Sequence, residues 1–162
     1  MRQRRQKGGG GLMYFCIAFP NGLILLRELI GNQKASDYND LFNSFIVPSI
    51  RLNIGSASNL VQDNCRIHTA KWLQKSYEAS KVNVLDWPSR SPDLNIVENI
   101  WKMISDLVYD GVQPKDLNDL RAKINRAANV VNNEKRHVIS NLYNTFRDRL
   151  VKVLLKKGNI IN

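Results

Sequence analysis

"LDWPSRSPDLNIVENIW", residues 85–101, runs from the end of an apolar stretch, across two prolines, into a segment with helical periodicity. Ile96, Val97, Ile100, Trp101, Ile104, Leu107 and Val108 recur at three- and four-residue intervals, which predicts an amphipathic helix with one apolar stripe. Glu98 lies off the centre of that stripe, in the first turn. There the positive end of the helix dipole keeps a carboxylate ionised and available to a metal ion. Ordinary helix starts are rich in Glu for the same reason, so position alone leaves both readings open.

Working outward, "VNVLDW" (82–87) reads as the strand that feeds this segment, and "NLVQD" (59–63) as an earlier short strand ending on Asp63. Open α/β sheets place ligands at the carboxyl ends of their strands, which suits Asp63 for a site, although for Asp63 taken alone a solvated turn aspartate is the favoured reading. Asn64 either holds the Asp63 carboxylate or begins a turn. His68 either contacts DNA or caps the helix predicted over "TAKWLQKSYEAS" (69–80). Further upstream, "LMYFCIAF" (12–19) and "LILLRELI" (23–30) flank Pro20-Asn21-Gly22, which predicts a β-hairpin. "SDYNDLFNSFIVPSIRL" (36–52) has helical spacing, with Ser36 or Asp37 as its cap and Pro48 as a kink or stop. Downstream of Gly111 and Pro114, two amphipathic segments follow, one carrying Leu117 to Val131 and the other Val138 to Leu154. Strands come first and strand–helix alternation later, so the expected class is α/β, a mixed sheet covered by helices.

A chain of 162 residues with 43% hydrophobic content suits one domain with one core. Lys and Arg number 24 against 14 acidic residues, a net charge of +10 that favours a polyanionic partner such as DNA. No apolar run reaches the ~18 residues of a membrane span, and no signal-peptide pattern follows the basic start, so no membrane partner is expected and the protein reads as soluble and intracellular. Cys16 and Cys65 are too few for a disulfide framework and read as reduced thiols, with no zinc-type spacing. The opening "MRQRRQKGGGG" lacks periodicity and reads as a flexible basic arm. Its cations Arg2, Arg4, Arg5 and Lys7 either touch phosphate, serve nuclear import, or are simply solvated.

"VQDNCRIHTAKWL" (61–73) and the opening stretch together resemble the catalytic core of Tc/mariner-type transposases. Members of that family read much like Gln-Asp-Asn-Ala-Pro-x-His and Leu-Asp-Trp-Pro-Ala-x-Ser-Pro-Asp-Leu-Asn-Pro-Ile-Glu. Between Asp63 and Glu98 lie 34 residues (64–97), the spacing of the subgroup that ends in Glu. The likeness extends to residues 8–30 and to "NLYNTFRDRLVKVLLKKG" (141–158).

The resemblance implies a ribonuclease H-like mixed sheet, with Asp63 and Glu98 as the second and third acids of an Asp-Asp-Glu triad. Such a triad holds two Mg²⁺ (or Mn²⁺) ions and needs no small-molecule cofactor. It also implies a DNA partner contacted by Asn64, Arg66, His68, Lys71 and Arg90 beside the arm, and a nuclear location. Two family features have no counterpart in these 162 residues. The first acidic residue is Glu28, at the end of the second predicted strand, so none occupies the place of the first Asp; the amino-terminal helix-turn-helix pair is likewise absent. Cys65 and Arg66 replace the usual Ala-Pro, and Ile96 a Pro; Asp86 and Asp93 belong to the family pattern but not to its triad.

The expected organisation is therefore an arm (1–11), a core lacking its first strand (12–110) and a C-terminal helical part of the same domain (111–162). Loss of an inner strand exposes a sheet edge, which predicts poor stability or self-association. Two acids alone predict weak metal binding and no catalysis by the isolated chain. The other reading is a domesticated, non-catalytic module that binds DNA or protein.

Overall fold

A computed structural model describes residues 11–55, 58–88 and 94–155. The chain opens with the expected hairpin, β1 (Met13–Ala18) antiparallel to β2 (Ile24–Leu29), in a register running from Met13↔Leu29 to Ala18↔Ile24. The Phe19 N–H donates to Leu23 O and the Gly22 N–H to Phe19 O, both at 2.9 Å, closing the turn.

Both faces of this hairpin are buried, which is why its strands read as continuous apolar runs rather than as an alternation with polar residues. Phe15, Ile17, Phe19, Leu23 and Leu25 pack into one core with Tyr38, Phe42, Ile46 and Leu73. Cys16, Ala18, Ile24 and Leu26 pack into a second, with Ile100, Ile104, Val131 and Ile139. Burial pushes the Cys16 thiol up to about 12, so it behaves as an apolar core group.

The first core is built by α1 (Ala35–Leu41) and α2 (Val47–Asn53), joined through a π-helical turn at Phe42–Ile46. Pro48 does not stop this helix. The wider π turn lies immediately ahead of Val47 and Pro48, where a proline would otherwise meet the carbonyl one turn back, and it lets the helix continue to Asn53. The N-cap is Lys34 rather than Ser36 or Asp37; Asp37 sits three residues in and accepts the Lys34 N–H at 2.8 Å.

β3 (Asn59–Leu60) runs parallel to β4 (Asn83–Val84), with a 3₁₀ turn (Lys71–Leu73) and α3 (Gln74–Ser80) between them. Both strands are shorter than the runs 59–63 and 82–87, and Asp63 lies in the loop beyond β3. Among the described residues the strands form two separate two-stranded ladders, β1–β2 and β3–β4.

The second core is closed by α4 (Ile96–Val108), α5 (Leu117–Glu134) and α6 (Arg136–Asn144), followed by α7 (Phe146–Leu155). The second C-terminal segment is thus two helices broken at Thr145 instead of one. α5 seals the outer edge of β2: the Asn132 amide donates to Ile24 O at 2.9 Å and its oxygen accepts the Ile24 N–H at 2.8 Å. Beside it, Arg121 forks onto both Glu28 oxygens at 2.7 and 2.8 Å, which holds the Glu28 carboxyl below its ordinary value. Glu28 is therefore spent on structure, in a bidentate pair that fixes the hairpin to α5.

Gly22 has φ of 82°, and a Cβ at that position would lie 2.1 Å from the main-chain oxygen of Arg136 at the start of α6. Gly22→Ala therefore forces either the turn or α6 to move, and should cost about 2–3 kcal/mol of stability. Equilibrium urea unfolding checks this, and a loss below about 0.5 kcal/mol contradicts the packing.

Candidate active site

The segment after β3 is organised by hydrogen bonds of its own. The Asp63 Oδ1 accepts the Cys65 N–H at 3.2 Å and meets the His68 Nδ1 at 2.8 Å, while the side chain remains 61% exposed. His68 is turned inward, its ring 4.2 Å from the Tyr38 ring between centroids. It therefore caps no helix; the N-cap ahead of the 3₁₀ turn is Ala70.

Beneath Asp63 a polar chain leads into the first core. The Tyr77 hydroxyl donates to His68 O at 2.8 Å, Gln62 Nε2 donates to the Tyr77 hydroxyl at 3.1 Å, and the Tyr38 hydroxyl donates to Gln62 Oε1. Burial, with Tyr77 as its neighbour, drives the Tyr38 hydroxyl far above its ordinary range, so it stays a neutral donor. One oxygen of Asp63 is thus engaged in a supported turn, and no hydrogen bond from another described residue reaches the other.

Asn64 does not hold Asp63. Its amide donates to the Trp87 main-chain oxygen at 2.6 Å, tying the loop after β3 to the loop after β4. Trp87 in turn stacks on Phe146, with centroids 6.0 Å apart and an interplanar angle of 19°.

Glu98 stands third in α4, whose N-cap Asn95 accepts the Val97 N–H on its side chain at 3.1 Å. Its own N–H reaches Asn95 O at 3.2 Å, and the side chain is exposed, as the sequence pattern predicts. Gln62 and Val97, the chain neighbours of Asp63 and Glu98, line one cavity together with Trp87, Asn95 and Phe146. Neither Asp63 nor Glu98 itself lines that cavity; their segments border it through these neighbours, with 34 residues (64–97) between the two acids.

Arg66 and Lys71 are exposed on the same segment as Asp63, and Asp86 is exposed after β4. Arg2, Arg4, Arg5, Lys7, Arg90 and Asp93 lie outside the described residues. Among the described residues no group of three or more His, Cys, Asp or Glu side chains is placed to hold a metal ion.

Two features escape a reading of the sequence. Nothing in the pattern around Tyr38 and Tyr77 reveals that the Tyr77 hydroxyl supports the His68 main-chain oxygen and that Tyr38 is linked to it through Gln62. Phe146 reads as a core position of a long helix, yet it is the platform for Trp87.

Comparison with known proteins places these segments. The model of the DDE superfamily endonuclease family matches residues 31–121, which include both Asp63 and Glu98. The chain belongs to that family. Its Tc-like character follows from its relatives: it is 26% identical over 161 residues to the transposable element Tc3 transposase of Caenorhabditis elegans, covering 98% of this chain and 48% of that protein. It is also 29% identical over 120 residues to the Tcb1 transposase of Caenorhabditis briggsae, and 30% identical over 95 residues to the Tc1 transposase of C. elegans. Those matches cover 74% and 59% of this chain against 44% and 35% of the relatives. This DDE chain thus spans about half the length of the curated relatives it matches, or less. Its mixed α/β architecture fits an endonuclease domain of that family, and no described helix is long and apolar enough to cross a membrane.

Proposed function

We propose that this DDE chain is the larger part of a ribonuclease H-like transposase core, built for two-metal phosphoryl transfer on DNA and lacking one of its three acids. The observation that carries the reading is that the Asp63 and Glu98 segments border one cavity, through Gln62 and Val97. Family membership and the spacing of the two acids support it.

The donors suit Mg²⁺ or Mn²⁺, because carboxylate oxygens are the hard ligands such ions prefer and Mg²⁺ is commonly held by one or two carboxylates with water and phosphate. Asp63 and Glu98 would hold the ions, which when bound supply charge stabilisation for the attacking and leaving oxygens at phosphorus. Asp63 is oriented by His68 and the Cys65 N–H and presents its remaining oxygen. Glu98 stands in the first turn of α4 and faces solvent. Arg66, Lys71 and Arg90 would neutralise phosphates flanking the reacting one, with the arm cations adding sequence-independent affinity. Asn64, through its bond to Trp87 O, fixes the two loops that frame the site, and its exposed side leaves it free to meet the DNA backbone. Import into the nucleus, where such DNA lies, falls to the same basic arm.

Two carboxylates make a weak site, since the acid that would bridge both ions is missing. The 162-residue chain is therefore expected to leave DNA with matched transposon ends uncut in Mg²⁺ or Mn²⁺, as read by strand nicking on denaturing gels. Nicking that disappears in Glu98→Gln would show that another acid has taken the vacant role, and Asp86, exposed in the loop after β4, is the first to mutate. The second reading is a non-catalytic module that keeps the same basic surface for DNA or a protein partner. That reading gains if DNA is bound while no added acid restores cutting.

A further inference from the structure

Positive charge is unevenly placed along the chain. Residues 8–110 carry nine Lys and Arg against ten acids, whereas residues 111–162 carry eleven against four. Outside the arm, the excess that attracts a polyanion therefore belongs to the C-terminal helices.

The outer face of α5 is where that excess meets an unusual surface. Leu120, Ile124, Ala127, Ala128 and Val131 turn into the second core, while Arg121 and Asn132 reach the outer edge of β2. At 3.6 residues per turn the opposite side is Asn118, Ala122, Asn125, Arg126, Asn129 and Asn133, all exposed. That face holds four amides, one guanidinium and no carboxylate. Asp119 stands at its edge, with one oxygen accepting the Lys115 N–H at 3.0 Å.

Asparagine is a poor helix former, because its short amide competes for main-chain hydrogen bonds, so this face costs helix stability that alanine would not. Among the described residues the side chains of Asn125, Arg126, Asn129 and Asn133 make no hydrogen bond or ion pair. Asn118 Oδ1 accepts from Arg121 at 2.9 Å, which leaves its amide hydrogens as donors. Where α5 meets α6, Arg136 Nε donates to Asn132 O at 2.6 Å and pins an exposed guanidinium at the end of the face. An apolar partner would find only Ala122 here. A row of neutral donors with guanidinium groups in its middle and at its end instead suits phosphate oxygens, which Arg and Asn side chains commonly contact. From Asn118 to Asn133 the helix rises about 22 Å, the length of about six base pairs.

We propose that the outer face of α5, continued by Arg136, is a DNA-backbone surface separate from the Asp63–Glu98 site. α5 lies against β2, and the Asp63 loop follows β3 on the far side of β1, so the hairpin stands between the two surfaces. DNA held on α5 is thus a segment remote from the reacting phosphate. The inference rests on the DNA partner proposed above and not on metal.

The test measures binding of a short labelled duplex of random sequence to the full chain by fluorescence anisotropy in EDTA, where no metal takes part. The triple variant Asn125→Ala, Asn129→Ala, Asn133→Ala should weaken affinity about tenfold or more while leaving the slope against log salt unchanged, since only neutral donors are lost. Its melting temperature should not fall, because alanine is the better helix former, so the loss cannot be ascribed to unfolding. Arg126→Ala should instead make the slope shallower by about 1. In NMR spectra of the unmodified chain, duplex should shift the side-chain amide signals of Asn125, Asn129 and Asn133. Wild-type affinity in the triple variant, or amide signals that stay in place while DNA binds, would overturn the proposal and leave the face to a protein partner or to solvent. Either result would leave the two-acid reading standing, since that reading is decided by nicking and by metal.

Discussion

Joining to this DDE chain a strand that carries an aspartate, by upstream extension, is expected to give a protein that nicks transposon-end DNA in Mg²⁺ or Mn²⁺, which the 162-residue chain is expected not to do. Glu98→Gln should return it to background. The extension supplies the missing carboxylate, and two-ion chemistry depends on holding nucleophile and leaving group in line across both ions, so it has little activity to lose gradually. Removing one positioned electrostatic group from an active site commonly costs about 10²–10³-fold. Removing a metal ligand should cost at least that much, whereas Asp93→Asn, outside the proposed triad, should cost far less. Denaturing-gel assays of single-strand breaks on labelled duplex read both arms. Equal activity of Glu98→Gln and its parent would remove Glu98 from the site.

The second large effect is on DNA affinity. Seven cations are assigned to phosphate: Arg2, Arg4, Arg5, Lys7, Arg66, Lys71 and Arg90. With all seven engaged, the slope of log affinity against log salt should approach about −6, at roughly −0.9 per phosphate, so raising salt from about 50 to 200 mM should weaken binding by on the order of 10³-fold or more. Deleting residues 1–7 should make the slope shallower by about 3 to 4, and sequence should matter little throughout. Fluorescence anisotropy with random and transposon-end duplexes measures both. An affinity indifferent to salt would reject the electrostatic account.

The hairpin was legible because Pro20-Asn21-Gly22 divides two apolar runs, and those runs are continuous because each strand is covered on both faces. α4 was legible from its stripe, with Glu98 where the pattern put it. The passage through Pro48 was not, since a π turn is a backbone adjustment with no residue signature of its own. β3 and β4 came out at two residues each, and among the described residues each pairs with the other alone. The break at Thr145 was hidden by an apolar spacing that continues across it.

In the site, Asp63 and Glu98 stood out by residue type and spacing, but the partners of Asp63 did not. His68 was a choice between DNA and a helix cap, and its ring instead packs on Tyr38 while Nδ1 holds the carboxylate. Asn64 could be read as a neighbour's support, yet its amide crosses to Trp87, 23 residues away. Such bonds join segments that only the folded chain brings together, so no local pattern encodes them.

The central claim is that Asp63 and Glu98 are two arms of one metal site. A crystal structure of the strand-extended protein grown with Mn²⁺ tests it most directly, by anomalous scattering. The account predicts manganese density between the two carboxylates, at ligand distance from both, in a cluster whose ions lie about 4 Å apart. Ordered Asp63 and Glu98 carboxylates more than about 10 Å apart, with no manganese between them, would contradict it, because no two-ion cluster of that size could span the gap.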